Sequence, residues 1–361
     1  MNIQDFIFKQ EVDASKVIQG VFSWSAPSNI ALVKYWGKKE NQIPANPSLS
    51  FTLSNCKTIT TMEYKVKSEK GISFELLFEG KPKEDFKPKV QKFFERIVQY
   101  CPYIENYHFV IDTQNTFPHS SGIASSASGM AAMAVNVMSL EKAIYPEMTE
   151  EYFDAKASFL ARLGSGSACR SIAGSIVVWG EHKGITNSSD LYGVPFGETV
   201  HENFKNYCDV ILLVDKGEKK VSSTVGHELM HNHPFAQQRF AQAHENLEAL
   251  KQVLISGDQE AFIKIVESEA LTLHAMMMTS MPYFILMKPN TLQIIEKIWD
   301  FRVKTSIPLC FTLDAGANVH LLFPNADKDF VMTFVRQELS DLCQNQHFIE
   351  DKVGFGSERI K

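Results

Sequence analysis

Segments with strand-like and helix-like patterning alternate along this sequence in two blocks, which predicts a two-domain protein of mixed helix and sheet. Three observations carry the prediction. The chain has 361 residues, too many for one small core and enough for two. Apolar residues recur at helical spacing in some windows and alternate or cluster as strands do in others. Between the blocks, Gly184, Ser188, Gly193, Pro195 and Gly197 give a loop-like stretch, which sets the expected domains at 1–195 and 196–361.

In order along the chain, residues 58–78 read as two strands around the turn Glu69-Lys70-Gly71, the pattern of a hairpin. Residues 89–100 place Val90, Phe93, Phe94, Ile97 and Val98 on one helical face, and 107–111 (YHFVI) read as a strand. The Ala-, Ser- and Met-rich stretch 125–138 suits a helix packed closely on a sheet, and 175–179 (SIVVW) reads as another strand. In the second block, a strand at 210–214 precedes helices at 238–255 and 258–276, and a strand pair at 309–313 and 319–323 flanks Asp314-Ala315-Gly316-Ala317-Asn318.

Composition narrows the function. With 44% hydrophobic and 22% charged residues the chain is an ordinary globular protein. A net charge of −6, with Lys and Arg scattered, gives no footprint for nucleic acid or an anionic membrane, so a small-molecule partner is expected. Cys56, Cys101, Cys169, Cys208, Cys310 and Cys343 form no Cys-x-x-Cys pair and read as reduced core thiols. The first twenty residues carry charges throughout and show no signal-peptide pattern, and no run approaches the ~20 apolar residues of a membrane span. A soluble, cytoplasmic enzyme is the expectation.

Four segments hold candidate chemistry. The turn at 118–129 (PHSSGIASSASG) follows a strand and opens a small-residue helix, which is how backbone N–H groups and the positive helix end are presented to a phosphate. Ser125 and Ser126 can cap the helix, contact a phosphate, or offer a hydroxyl to the magnesium that accompanies ATP. No Gly-Lys-Ser/Thr follows, so this is not a Walker A loop, and alone it is equally consistent with a plain tight turn. Arg170 is the only charge in GSGSACRS (164–171), suited to forked contact with a substrate carboxylate or phosphate or to pairing with a nearby acid. Lys34 and Lys38, four apart around Tyr35-Trp36-Gly37, can converge on one anion or stand as two solvated lysines. Asp314 ends an apolar strand beside small residues, where a carboxylate can serve as a base.

Six segments in this order then resemble the mevalonate diphosphate decarboxylases of the GHMP kinase superfamily. They are APSNIALVKYWGK (26–38), PANPSLSFTLS (44–54), FPHSSGIASSASG (117–129), ARLGSGSACRS (161–171), VSSTVG (221–226) and LDAGAN (313–318). The resemblance implies an α+β, two-domain GHMP kinase fold with the active site in the cleft between domains. Its N-terminal ATP-binding domain resembles domain 2 of a small-subunit ribosomal protein, and its C-terminal domain is ferredoxin-like. It implies ATP-dependent decarboxylation of mevalonate 5-diphosphate to isopentenyl diphosphate, with ADP, phosphate and carbon dioxide released, by a homodimer using ATP and Mg2+.

The same resemblance implies residue roles. Asp314 matches the acid that orients or deprotonates the 3-hydroxyl, Arg170 the residue on the substrate carboxylate, and Lys34 the third member of that catalytic set. Asn29, Tyr35, Lys38, Ser167 and Lys89 match substrate-binding positions. Pro118, Ser121, Gly122, Ala124, Ser125 and Ser126 match the nucleotide loop, with Ser126 near the metal.

Three departures bear on substrate choice. The family commonly reads DAGPNA where this chain has DAGANVH (314–320), Lys89 stands where some members use arginine, and His227 follows Gly226 where methionine is frequent. They keep open a phosphomevalonate decarboxylase acting on the 5-monophosphate; because fold does not fix function, a kinase or a non-catalytic homologue on the same fold is a separate alternative. A rival signal is His227-Glu228-Leu229-Met230-His231, which fits the HExxH zinc pattern but lacks its longer signature and runs into Pro234.

Overall fold

Two long antiparallel strands, β1 (Gln19–Val33) and β2 (Ser48–Val66), form the spine of the molecule. The computed structural model describes residues 1–10, 17–118, 123–217 and 223–361. Around the spine stand β3 (Phe74–Phe78), β4 (Lys81–Pro82), β5 (Tyr107–Asn115), β6 (Ile176–Trp179) and β7 (Val194–Pro195). The second sheet consists of β8 (Cys208–Leu212), β9 (Cys310–Thr312), β10 (Val319–Phe323) and β11 (Phe348–Lys352), all antiparallel in the order β11-β8-β10-β9. The last strand, β12 (Glu358–Arg359), returns to pair with β1, so the first sheet runs β12-β1-β2-β5-β3-β4 with β6 on β2 and β7 on β6. The division expected at 195/196 falls between β7 and β8, and β12 crosses back over it.

The hairpin expected over 58–78 does not form. β5 lies between its two halves, antiparallel to β2 from Thr58↔Asn115 to Val66↔Tyr107 and parallel to β3. Tyr107, Phe109 and Ile111 of β5 all point into the core, so pairing β5 centrally buries an alternating apolar edge that a local hairpin would leave exposed.

Three helices cover this sheet: α1 (Lys87–Ile97), α2 (Ser125–Ile144) and α3 (Glu150–Gly164). α1 buries Val90, Phe93, Phe94 and Ile97, the stripe its spacing predicts. α2 is buried nearly all round, and Ala127, Ala131 and Ala134 let its backbone lie close to β1 and β2. The second half contributes α4 (Ser223–Glu228), α5 (Ala236–Ser256), α6 (Gln259–Met278), α7 (Pro289–Thr305) and α8 (Lys328–Phe334). α5 and α6 meet at Gly257, whose φ of +82° ends one helix, and at Asp258, whose side chain accepts from Ala261 N–H to start the next.

The two halves share a core. Ile30, Leu32 and Phe51 of the first sheet pack with Ile211, Leu247 and Phe262 of the second half. Asp351 of β11 adds a polar tie by accepting the N–H groups of Ser54, Asn55 and Cys56 at 2.9, 2.8 and 2.7 Å. This junction fixes where the ends of β1 and β9 lie relative to each other. All six cysteines are free and buried.

Candidate active site

Lys34 follows the last residue of β1, and Asp314 follows the strand β9 at the start of a small-residue loop. The folded chain brings them together: Lys34 Nζ donates to Asp314 Oδ1 at 2.9 Å. The lysine side chain is 2% exposed and the carboxylate 32%, so the pair has a buried cation and an anion open to the cleft. Burial pulls the Lys34 ammonium below the usual lysine range; Asp314 and Glu269 oppose that shift, and Arg170 adds to it.

Arg170 belongs to a short 3-10 turn, Gly166–Ser171, packed against α2 and α3. Its guanidinium is buried, donates from Nε to Asn29 Oδ1 at 3.3 Å and from Nη1 to Ser48 Oγ, and lies 5.8 Å from the centre of the Trp179 ring. Asn29 in turn donates to Ser167 O at 3.2 Å and Ser171 Oγ at 2.8 Å, so Asn29, Ser167 and Arg170 form one frame. Both side chains that hold the guanidinium are neutral, which leaves its charge facing Asp314 and whatever anion enters. Tyr35 stands beside this frame. Its hydroxyl is buried with no hydrogen-bond partner among the described residues, and a Cβ built on Gly166 would come within 3.0 Å of it. Glycine at 166 is what lets the 3-10 turn approach Tyr35 and Trp179 this closely.

The residues expected to hold the nucleotide lie at the start of α2. Ala124 has a left-handed φ of +39°, and Ser125 and Ser126 form the first turn of the helix, where N–H groups lack intrahelical partners. Pro118 leads into this segment; Ser121 and Gly122 lie outside the described residues. Lys89 of α1 donates to Ser126 Oγ at 2.6 Å and lines, with Phe78, Phe86, Met130 and Met133, a cavity of about 120 Å³. Lys89 therefore joins Ser126 and not the Lys34–Arg170–Asp314 group, and its burial lowers its pKa. A lysine, a serine hydroxyl and a helix N-terminus beside an apolar cavity suit a polyphosphate joined to an aromatic base, so the residues present fit ATP with its magnesium.

Two family models cover most of the sequence. Residues 26–190 match the diphosphomevalonate decarboxylase-like N-terminal domain, and residues 209–358 match the mevalonate 5-diphosphate decarboxylase C-terminal domain. The chain belongs to the mevalonate diphosphate decarboxylase family. Among curated relatives, the diphosphomevalonate decarboxylase of Candida albicans is 29% identical over 328 residues, covering 87% of each chain. Among solved structures, mevalonate diphosphate decarboxylase from Staphylococcus aureus superposes with a TM-score of 0.81 at 27% identity, covering 95% of this chain and 99% of that one. A structure of MDDEF in complex with MVAPP, AMPPCP and magnesium superposes with a TM-score of 0.78 at 29% identity, covering 95% and 100%. The GHMP kinase fold expected from the motifs is thus the fold of this decarboxylase family member.

Within the family frame, two sequence signals have specific outcomes. Lys34 and Lys38 meet different charged groups. Gly37, at φ +103°, turns the chain between them, and Lys38 has Glu228, Arg96 and Lys92 as its charged neighbours. Nor does the HExxH match build a zinc site. His227 Nδ1 accepts Gly37 N–H at 2.9 Å, α4 ends at Glu228 before His231, and among the described residues no three His, Cys, Asp or Glu side chains are grouped to hold a metal. The His227 ring instead packs 4.2 Å from Tyr35 and 4.7 Å from Trp36, and burial drives its pKa down to about 3, so it is a neutral packing group of the KYWGK loop.

Sequence reasoning passed over Ser48 and Trp179, although Ser48 lies in the PANPSLSFTLS motif. A serine in a strand and a tryptophan in an apolar run carry no local sign that an arginine from another segment will rest on them.

Proposed function

We propose that this protein catalyses the ATP-dependent decarboxylation of mevalonate 5-diphosphate to isopentenyl diphosphate, releasing ADP, phosphate and carbon dioxide. The observation that carries the reading is the Lys34–Asp314 contact across the cleft, with the buried Arg170 guanidinium held beside it by the neutral side chains of Asn29 and Ser48. When bound, ATP supplies the phosphoryl group that makes a tertiary hydroxyl a good leaving group, and Mg2+ offsets charge on its phosphates.

The protein's part is positioning and electrostatics. Asp314, exposed to the cleft and held by Lys34, accepts the proton of the 3-hydroxyl at its carboxylate. Lys34, as the ammonium, keeps that carboxylate ionised until the proton arrives. Arg170 orients the substrate carboxylate, and a modest grip suits the task, because tight ground-state binding of a departing carboxylate would oppose its loss. Tyr35, Asn29 and Ser167 border the same space, and the unpartnered Tyr35 hydroxyl is a donor awaiting a substrate oxygen. Lys38 is assigned to the substrate diphosphate, Lys89 and Ser126 to the nucleotide, and Ser126 to the metal. The same reading makes the enzyme a cytoplasmic homodimer; among the described residues no helix is long and apolar enough to cross a membrane.

The test is an assay with ATP, Mg2+ and either mevalonate 5-diphosphate or 5-phosphate, measuring ADP and carbon dioxide. Equal release of both products with the diphosphate is expected. ADP without carbon dioxide identifies a kinase, turnover of the monophosphate alone moves the substrate assignment, and release of neither product refutes the reading.

A further inference from the structure

The Lys34–Asp314 contact joins residues 280 positions apart, and one helix touches the main chains of both. Lys34 stands just beyond the last paired residue of β1, Val33, so its own N–H and C=O need partners outside the ladder. Its N–H donates to Glu269 Oε2 of α6 at 2.8 Å. Its carbonyl accepts from Arg239 Nη2 of α5 at 3.2 Å and from Asn46 Nδ2 at 2.9 Å. Five residues beyond Glu269 on α6, His274 Nε2 lies 3.2 Å from the Asp314 carbonyl oxygen. A carbonyl only accepts, so this ring carries its proton on Nε2.

Glu269 is itself immobilised. It accepts from both terminal nitrogens of Arg239 and, at Oε1, from Asn246 Nδ2 at 2.6 Å. The Glu269 and Arg239 side chains are both 0% exposed. Stability is a weak explanation for such a pair, since buried ion pairs can often be replaced by apolar residues of similar volume at little cost. Geometry is the stronger one: a forked carboxylate–guanidinium contact has little freedom, and this one grips Lys34 at both its N–H and its C=O.

We propose that Glu269, backed by Arg239, is a positioning residue for the reaction, and that α6 acts as a jig that sets the Lys34 main chain at a fixed distance from the Asp314 main chain held by His274. The proposal rests on Lys34 and Asp314 being the reacting pair. The first sheet supplies the lysine, the second supplies the aspartate, and a helix of the second half holds both. Small changes in the seating of the two halves are thereby kept from opening the 2.9 Å contact.

The experiment compares Glu269→Gln and the double variant Glu269→Leu/Arg239→Met with Asp314→Asn. The double variant removes both buried charges together, so its melting temperature is expected to stay within a few degrees of the parent while the hold on Lys34 is lost. Its kcat is expected to fall ~10–100-fold, the range for misplacing a reacting group, with the KM for ATP unchanged. A purely structural role would leave one further readout alone. The charged groups around Lys34 are Asp314, Glu269 with Arg239, Arg170 and, farther off, Asp209, and Glu269 is one of the two carboxylates that raise its pKa. Losing the Glu269 charge with Arg239 left in place, as in Glu269→Gln, should therefore move the alkaline limb of the pH–rate profile to lower pH. Parental kcat and an unmoved alkaline limb in a folded variant overturn the proposal. If the double variant does not fold, the near-isosteric Glu269→Gln is read by the same two measures. Full turnover by Asp314→Asn would instead overturn the catalytic assignment, whatever the α6 variants do.

Discussion

Lys156 and Lys34 are both buried and each meets a carboxylate, but the two pairs are built differently. Lys156 of α3 donates to both oxygens of Glu141 on α2, at 2.8 and 2.7 Å, and to Tyr100 O at 3.2 Å, which uses all three ammonium protons. The side chains are 0% and 1% exposed. Burial alone would lower the Lys156 pKa, yet Cys101 and then Glu141 outweigh burial and raise it above the usual lysine value. Lys34 Nζ meets a carboxylate that is 32% exposed, and for it burial wins. A closed pair with every valence used can only hold helices together. An open pair sets a partly exposed carboxylate beside a buried cation, which is what a proton acceptor and its electrostatic support require.

The comparison can be broken most sharply at the carboxylates. Asp314→Asn should lower the rate of carbon dioxide release by about 10⁴-fold, the upper end for loss of a general base, with little change in melting temperature. Glu141→Gln should do the reverse. It leaves Lys156 buried without its counter-charge and should cost about 3–5 kcal/mol in urea unfolding, with kcat of the folded fraction unchanged. Preserved stability in Glu141→Gln, or preserved turnover in Asp314→Asn, would erase the distinction between the pairs.

A smaller effect is expected at Arg170. Arg170→Lys keeps the charge but loses the fork that reaches Asn29 and Ser48, and should lower kcat/KM for the diphosphate substrate ~10–100-fold with KM for ATP unchanged. The smallest is a pH effect. Because Lys34 has a lowered pKa and works as the ammonium, activity should fall as pH rises through a value below the ~10.4 of an ordinary lysine. The raised pKa of Lys156 has the opposite sign: its contribution to stability is fully present below the unfolded value and is lost only above it. A pH–rate profile and a pH–stability profile on one preparation should therefore part on the alkaline side, with activity lost first.

Much of the site was legible because its chemistry comes in short segments with unusual composition. Arg170 stood out as the only charge among small residues, and Asp314 as an acid at the end of an apolar strand; the fold places both on one cleft with Lys34. Lys38 and Lys89 show where such reading stops. Sequence spacing left Lys38 either beside Lys34 on one anion or solvated, and the fold gives it Glu228, Arg96 and Lys92 as charged neighbours. Resemblance put Lys89 among the substrate-binding positions, and the fold adds that α1 sets it against Ser126. The hairpin expected over 58–78 failed similarly, since local alternation says which residues face a core and not which distant strand, here β5, will lie alongside.

The sequence by itself determined the family, the mixed α+β architecture, the apolar faces of α1, α5 and α6, and the identity of Lys34, Arg170 and Asp314 as the charged set. These follow from periodicity and motif, which are local. Only the tertiary structure decided that Asp314 reaches Lys34 across 280 residues, that Ser48 and Asn29 seat Arg170, and that Glu269 and His274 of one helix contact the main chains of Lys34 and Asp314. Each of these depends on how β1, β9 and α6 pack at the junction of the two sheets. No window of sequence contains that information, because such contacts form only when distant segments bury their apolar faces together.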